Sequence, residues 1–158
     1  MNIGQLLSSD RVSRTGEISS KKRVLETLSE MLSTSQPDLS SNEIFDSLIS
    51  RERLGSTGLG HGVAIPHGRV AGVKNAVAAL IKLEKGVDYD APDREPVDLL
   101  FALLVPQEST DEHLEILATL ARMFADPSTL ASLRSADDGQ ALLEQVRHWD
   151  GNGDSSAP

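Results

Sequence analysis

The chain has 158 residues, 39% of them hydrophobic and 25% charged, no cysteine, and a net charge of −9. That length supports one domain with its own core, and the missing cysteine excludes disulfides, thiolate metal sites and cysteine nucleophiles. Residues 1–75 carry nine Lys/Arg against eight Asp/Glu and residues 76–158 six against sixteen, with Lys21-Lys22-Arg23 the one basic cluster and five aromatic residues for stacking, so no nucleic-acid binding is expected.

The N-terminal MNIGQLLSSDRVSR has no basic start followed by an apolar core, so no secretory leader is expected. No apolar run approaches the roughly 20 residues of a membrane span. A cytoplasmic chain without membrane insertion is expected. Ser19 or Ser20 is placed to cap a helix to about Ser33, with Val24, Leu25, Leu28, Met31 and Leu32 on one face. Its first turn carries Lys21, Lys22 and Arg23, the wrong sign for the helix dipole, and is read as a solvated start tolerated at small cost. Ser40 and Glu43 form a capping-box pattern ahead of a second helix through Ile44, Phe45, Leu48 and Ile49 to Arg51.

The pattern then turns to strands. Val63-Ala64-Ile65 reads as a short buried strand, NAVAALIKL (75–83) as a longer one, and VDLLFALLV (97–105) as a strand covered on both faces, ended by Pro106. Ser109 to Glu112 is another capping-box pattern, opening a helix to about Ala125 with a core stripe of Leu117, Leu120, Ala121 and Phe124. Asp126-Pro127 restarts a short helix, and Asp137 or Asp138 caps a last one ending near Trp149. The expected architecture is a three-layer α/β/α sandwich with a small mixed sheet flanked by helices. Residues 1–150 form the domain, and the polar tail 151–158 is expected to be disordered.

The run GSTGLGHGVAIPHGRV (55–70) raises a nucleotide question. A phosphate-cradling loop needs Gly-Lys-Ser/Thr, or glycines between a strand and a following helix. Here a helix precedes the glycines and a strand follows them, so nucleotide binding is rejected. The glycines serve a tight turn, or a backbone pass close to something bound above His67.

His67 shares strand parity with Val63 and Ile65, at a position expected to be the strand's C-terminal edge. His113 lies just inside the helix opened by Ser109, in register with Leu117 and Leu120, and therefore faces inward. If the strands ending at His67 and Val105 run parallel, both histidines sit at the edge where open α/β sheets bind ligands. The helix start beside them favours an anion. Arg51, at a helix end before the glycine loop, is either a clamp for a phosphoryl group or a solvated arginine beside Glu52 and Arg53. His61 either lines the rim or is exposed, and His148 is read as a surface residue. A zinc site wants a fixed ligand set, but no HExxH is present and His61 lies on a glycine loop, so no metal is expected. No GxSxG elbow supports a serine hydrolase.

ISRERLGSTGLGHGVAIPHGR (49–69) resembles the phosphorylation-site signature of enzyme IIA proteins of the bacterial phosphotransferase system, in the fructose–mannitol–nitrogen superfamily. SSKKRVLETLSEML, REPVDLLFALLVP and TDEHLEILATLARMF follow in that family's order and spacing. The resemblance implies that His67 accepts a phosphoryl group on Nε2, that His113 is the second active-site histidine, and that Arg51 neutralises charge across the site. Ser56 and Thr57 are implied as supporting hydroxyl donors. His61 stands where members often carry asparagine. Within the superfamily the chain is most similar to the nitrogen-regulatory branch, and it is expected to stand alone, without an attached membrane domain or IIB domain. The implied donor is an HPr-like phosphocarrier (NPr), and the implied targets are regulated proteins such as potassium transporters or sensor kinases. No cofactor is implied. A sugar-transport enzyme IIA, passing phosphate to a IIB cysteine, is the alternative.

Overall fold

The computed structural model describes residues 2–152. Two short 3-10 turns, Ile3–Leu6 and Ser9–Arg11, lead into an edge strand β1 (Val12–Thr15). Helices α1 (Lys21–Ser33) and α2 (Ser41–Arg53) follow. Strands β2 (Gly58–Gly60), β3 (Val63–Ala64), β4 (His67–Val70), β5 (Val77–Val87) and β6 (Val97–Pro106) come next. Helices α3 (Asp111–Ala125), α4 (Pro127–Ser135) and α5 (Gly139–Asn152) complete the chain.

The sheet is mixed and six-stranded, in the order β1-β5-β6-β3-β2, with β4 also paired to β6. The expected parallel pairing holds: β3 and β4 both run parallel to β6, with Val63 opposite Leu99 and His67 opposite Leu103. β5 lies antiparallel to β6, and β1 parallel to β5. One face of the sheet packs Leu80, Leu99, Phe101 and Leu103 against α3, α4 and α5. The other packs Ala79, Ile81, Leu100 and Leu104 against Val24, Leu28, Ile44 and Leu48 of α1 and α2. β6 is buried on both faces, which is why its sequence is apolar without alternation. Each of its fully buried leucines contributes about 1.5–3 kcal/mol. The three-layer sandwich expected from the pattern is the one observed.

Several local expectations need correcting. The expected strand does not run unbroken to His67, because Pro66 interrupts it and His67 opens β4 instead of closing β3. β1 and β2 arise from segments without a strand pattern, and β5 continues past Leu83 to Val87 through a register irregularity. Ser20 caps α1 and Ser40 caps α2, each accepting an N–H bond at 3.1 Å, and Asp138 caps α5 at 2.8 Å. The box expected at Ser109 does not form. Thr110 occupies the N-cap of α3 without a side-chain hydrogen bond, so the first N–H groups of that helix have no capping side chain. The buried stripe of α3 is His113, Ile116, Leu120, Met123 and Phe124; Ala121 is exposed. α5 reaches Asn152, three residues past Trp149, so the first two residues of the expected tail are helical. Residues 153–158 of that tail lie outside the described residues.

Candidate active site

Pro66 has no N–H to give the sheet ladder, and around it the backbone bonds are re-routed. The Pro66 carbonyl accepts from Leu103 N at 2.9 Å, and Ile65 N donates to Thr57 O at 3.0 Å. The Ile65 carbonyl lies 2.8 Å from His67 Nδ1. A carbonyl can only accept, so Nδ1 carries the proton and Nε2 keeps its lone pair. Gly68 follows because α2 crosses β4 there: a Cβ would lie 2.1 Å from Ser47 Oγ and 3.1 Å from Ser47 Cβ. The Pro-His-Gly run thus breaks the ladder, fixes the ring and admits the helix.

His113 enters from α3 on the same face of the sheet. Its ring centroid is 5.2 Å from that of His67, at an interplanar angle of 72°. The side chain is buried, and its Nε2 has no hydrogen-bond partner. A buried polar atom left unpaired costs roughly 1–3 kcal/mol, so this nitrogen is a ready partner for a polar ligand. Burial, then the charge of His67, then that of Arg69 lower the His113 pKa to about 4. Burial is also the main cause that lowers the His67 pKa, opposed by the Ile65 bond and by Glu52, and aided by Arg51 and Arg69. Both rings are neutral at pH 7.

Arg51, in the last turn of α2, donates Nη1–H to Gly55 O at 2.9 Å and places its charge close enough to act on His67. Arg69 was not among the expected site residues. It lies two positions after His67 on β4, hence on the same side of the strand, and its charge acts on both histidines. The spacing His-x-Arg on a strand carried that signal. The uncapped start of α3 adds N–H dipoles beside His113.

Ser56 and Thr57, expected as supporting donors, are committed elsewhere. Ser56 Oγ donates to Tyr89 O at 3.3 Å and accepts from Gly58 N. Thr57 Oγ1 donates to Glu52 Oε2, and Thr57 N donates to Glu52 Oε1 at 3.2 Å. Nor is the basic first turn of α1 simply solvated, since Lys21 Nζ lies 3.1 Å from Glu52 Oε1 and 4.4 Å from the Tyr89 ring centroid.

His61 does not line the site. Opposite Leu99 and Leu103 respectively, Val63 and His67 lie about 13 Å apart along β6, and His61 is beyond Val63. Its N–H donates to Asp93 Oδ2 at 3.0 Å and its carbonyl accepts from Arg134 Nη2. It adopts φ 55° between Gly60 at 92° and Gly62 at 80°, a left-handed turn that tolerates asparagine and histidine but not a β-branched residue. His61→Val is therefore expected to lose about 1–2 kcal/mol, and His61→Asn to stay within about 0.5 kcal/mol of wild type. Thermal melts of the two variants check both. His148 is exposed on α5. Among the described residues, no three His, Asp or Glu side chains converge to hold a metal ion. No helix among them is long and apolar enough to cross a membrane.

Residues 5–149 match the family model for the phosphoenolpyruvate-dependent sugar phosphotransferase system, EIIA 2. The chain belongs to this EIIA type 2 family. Among its relatives, a nitrogen regulatory protein of Pseudomonas aeruginosa is 46% identical over 127 residues, 80% of this chain and 82% of that protein. The nitrogen regulatory protein of Escherichia coli is 41% identical over 138 residues, 87% of this chain and 84% of that one. The crystal structure of nitrogen regulatory protein IIA-Ntr from Neisseria meningitidis superposes with a TM-score of 0.84 at 43% identity, covering 91% of this chain and 98% of that one. This EIIA type 2 protein is thus a homologue of the nitrogen regulatory proteins, with their fold.

Proposed function

We propose that this EIIA type 2 protein is a phosphoryl carrier of a nitrogen-related phosphotransferase system. It takes phosphate from a phosphohistidine on an HPr-like carrier onto Nε2 of His67, and its phosphorylation state controls which target proteins it binds. The observation that carries this reading is the neutral His67 ring, tied through Nδ1–H to Ile65 O, facing a His113 whose buried Nε2 is unpaired.

The step balances without an added base. The Nε2 lone pair of His67 attacks the phosphorus in line as the donor's P–N bond breaks, and that electron pair returns to the donor imidazole. The donor ring gives up one positive charge and the His67 ring gains one, with its Nδ1 proton still held by Ile65 O. Arg51 and Arg69 offset the charge on the phosphoryl oxygens, and His113 supplies the neighbouring ring nitrogen. Once attached, the phosphoryl group adds about 1.5–2 negative charges, enough to remove or create a protein-binding surface.

A protein donor also suits the rim. Leu54, 84% exposed, follows Arg51 by three residues, and Leu114, 65% exposed, follows His113 directly. Basic Arg53 and Arg69 lie on the α2 and β4 side, and acidic Asp111, Glu112 and Glu115 on the α3 side. Leu54→Asp and Leu114→Asp are each expected to raise the donor KM roughly tenfold with little change in stability, as initial-rate assays with varied donor will show. The direct test is intact mass after incubation with phosphoenolpyruvate, enzyme I and an HPr-like carrier. Gain of one acid-labile phosphate is expected, and no gain with any of several carrier pairs overturns the proposal.

A further inference from the structure

Beneath the glycine loop lies a buried acidic side chain. The Glu52 side chain is 2% exposed, and three other parts of the chain gather around it. Lys21, at the start of α1, reaches it at 3.1 Å. Thr57, on the loop, donates to it from both N and Oγ1. Tyr89, on the connection between β5 and β6, has its hydroxyl 3.2 Å from Thr57 Oγ1, while its carbonyl accepts from Lys21 Nζ at 3.1 Å and from Ser56 Oγ. One carboxylate thereby ties the end of α2 to the loop that precedes His67.

Arg51 is the adjacent residue. Its guanidinium crosses to Gly55 O, so its position depends on the same short segment, 52–57, that Glu52 anchors from below. Two charges of opposite sign thus leave one turn of α2, one directed to the loop carbonyl and one buried beneath it. Both act on His67, in opposite directions. The remaining charged or titratable groups acting there are Arg69 of β4 and His113 of α3, and neither belongs to this cluster.

We propose that Glu52 is a positioning residue of the phosphoryl site: its buried carboxylate holds the glycine loop and Arg51 in place and supplies the negative field that supports the positive charge arriving on the His67 ring. This rests on the carrier function proposed above. A buried carboxylate whose only task was to hold the fold would be replaceable by an uncharged hydrogen-bonding group wherever its lysine is also removed. Glu52 is not replaceable in that way, because its charge is used at His67.

The test compares wild type, Glu52→Gln and the double variant Glu52→Gln/Lys21→Met. The double variant leaves no unpaired charge in the cluster and stands in if the single variant fails to fold. Two quantities are read: the titration midpoint of His67 by NMR in the unphosphorylated protein, and kcat and KM for phosphoryl uptake from an HPr-like carrier. In both variants His67 is expected to titrate at lower pH than in wild type. The kcat is expected to fall roughly 10- to 100-fold, with donor KM within about twofold because Glu52 lies beneath the docking surface. A double variant that folds with the wild-type His67 midpoint and wild-type kcat overturns the proposal. If wild type itself takes no phosphate, the carrier function fails, and an unshifted His67 midpoint then separately removes Glu52 from the site.

Discussion

His67→Gln is expected to take up no phosphate at all from a charged carrier, while folding as the wild type does. Glutamine fills similar space and keeps a polar end group, but its amide nitrogen has no free lone pair to attack phosphorus. Loss of the nucleophile removes the covalent step itself, so the effect is complete rather than graded. The cost to the fold is small because His67 is only part-buried and its one hydrogen bond goes to Ile65 O. Intact mass after exposure to the charged carrier reads uptake, and a thermal melt reads the fold. A phosphate that persists in the folded variant would place the acceptor elsewhere, with His113 the first position to test.

His113→Gln is expected to change how stability depends on pH. Burial, with smaller contributions from His67 and Arg69, holds the His113 pKa at about 4 in the folded protein, against about 6.5 for a histidine in an unfolded chain. Below pH 6.5 the unfolded state therefore binds a proton that the folded state refuses, and stability falls as pH falls. The loss accumulates between about pH 6.5 and 4 and reaches about 3 kcal/mol from this residue. His67 contributes in the same direction, as its pKa is also lowered, but it is present in both proteins and cancels in the comparison. Urea midpoints measured at pH 7 and pH 4.5 should therefore drop much further in wild type than in His113→Gln. Parallel drops would show that His113 protonates freely in the folded state.

Much of the fold is visible in the chain, for reasons that particular elements make plain. α1 and α2 carry apolar residues at helical spacing behind Ser20 and Ser40, and both helices form behind those caps. β6 is apolar throughout because helices cover both of its faces. β1 is hidden because VSRT is short and buries only Val12, so no alternation can show. β2 is hidden inside a glycine run, where turn chemistry masks pairing. The cap of α3 is misread by one residue because Ser109 and Glu112 satisfy the spacing of a capping box without making its bonds.

At the site, strand parity and helix register are enough to bring His67 and His113 to one face. What they cannot show is where a hydroxyl or a charge is already used. Ser56 and Thr57 have the chemistry of phosphate donors, but Tyr89 and Glu52, the former more than 30 positions away along the chain, take their protons. Lys21 looks misplaced at a helix start until Glu52 folds against it. Such long-range pairings leave no local pattern. Arg69 was within reach, since alternation alone sets it beside His67.

The bond that leaves Nε2 of His67 free is made to a peptide carbonyl, and every possible amino acid at position 65 supplies one. No side-chain replacement can delete that acceptor. The choice of ring nitrogen is thereby insulated from sequence drift, written into the path of the main chain around Pro66. The charges that tune the ring, on Arg51, Glu52 and Arg69, are carried by side chains and remain open to selection. On the proposed carrier function, a lineage of such proteins could therefore diversify in how fast it exchanges phosphate, and with whom, without altering which ring nitrogen is left free to take it.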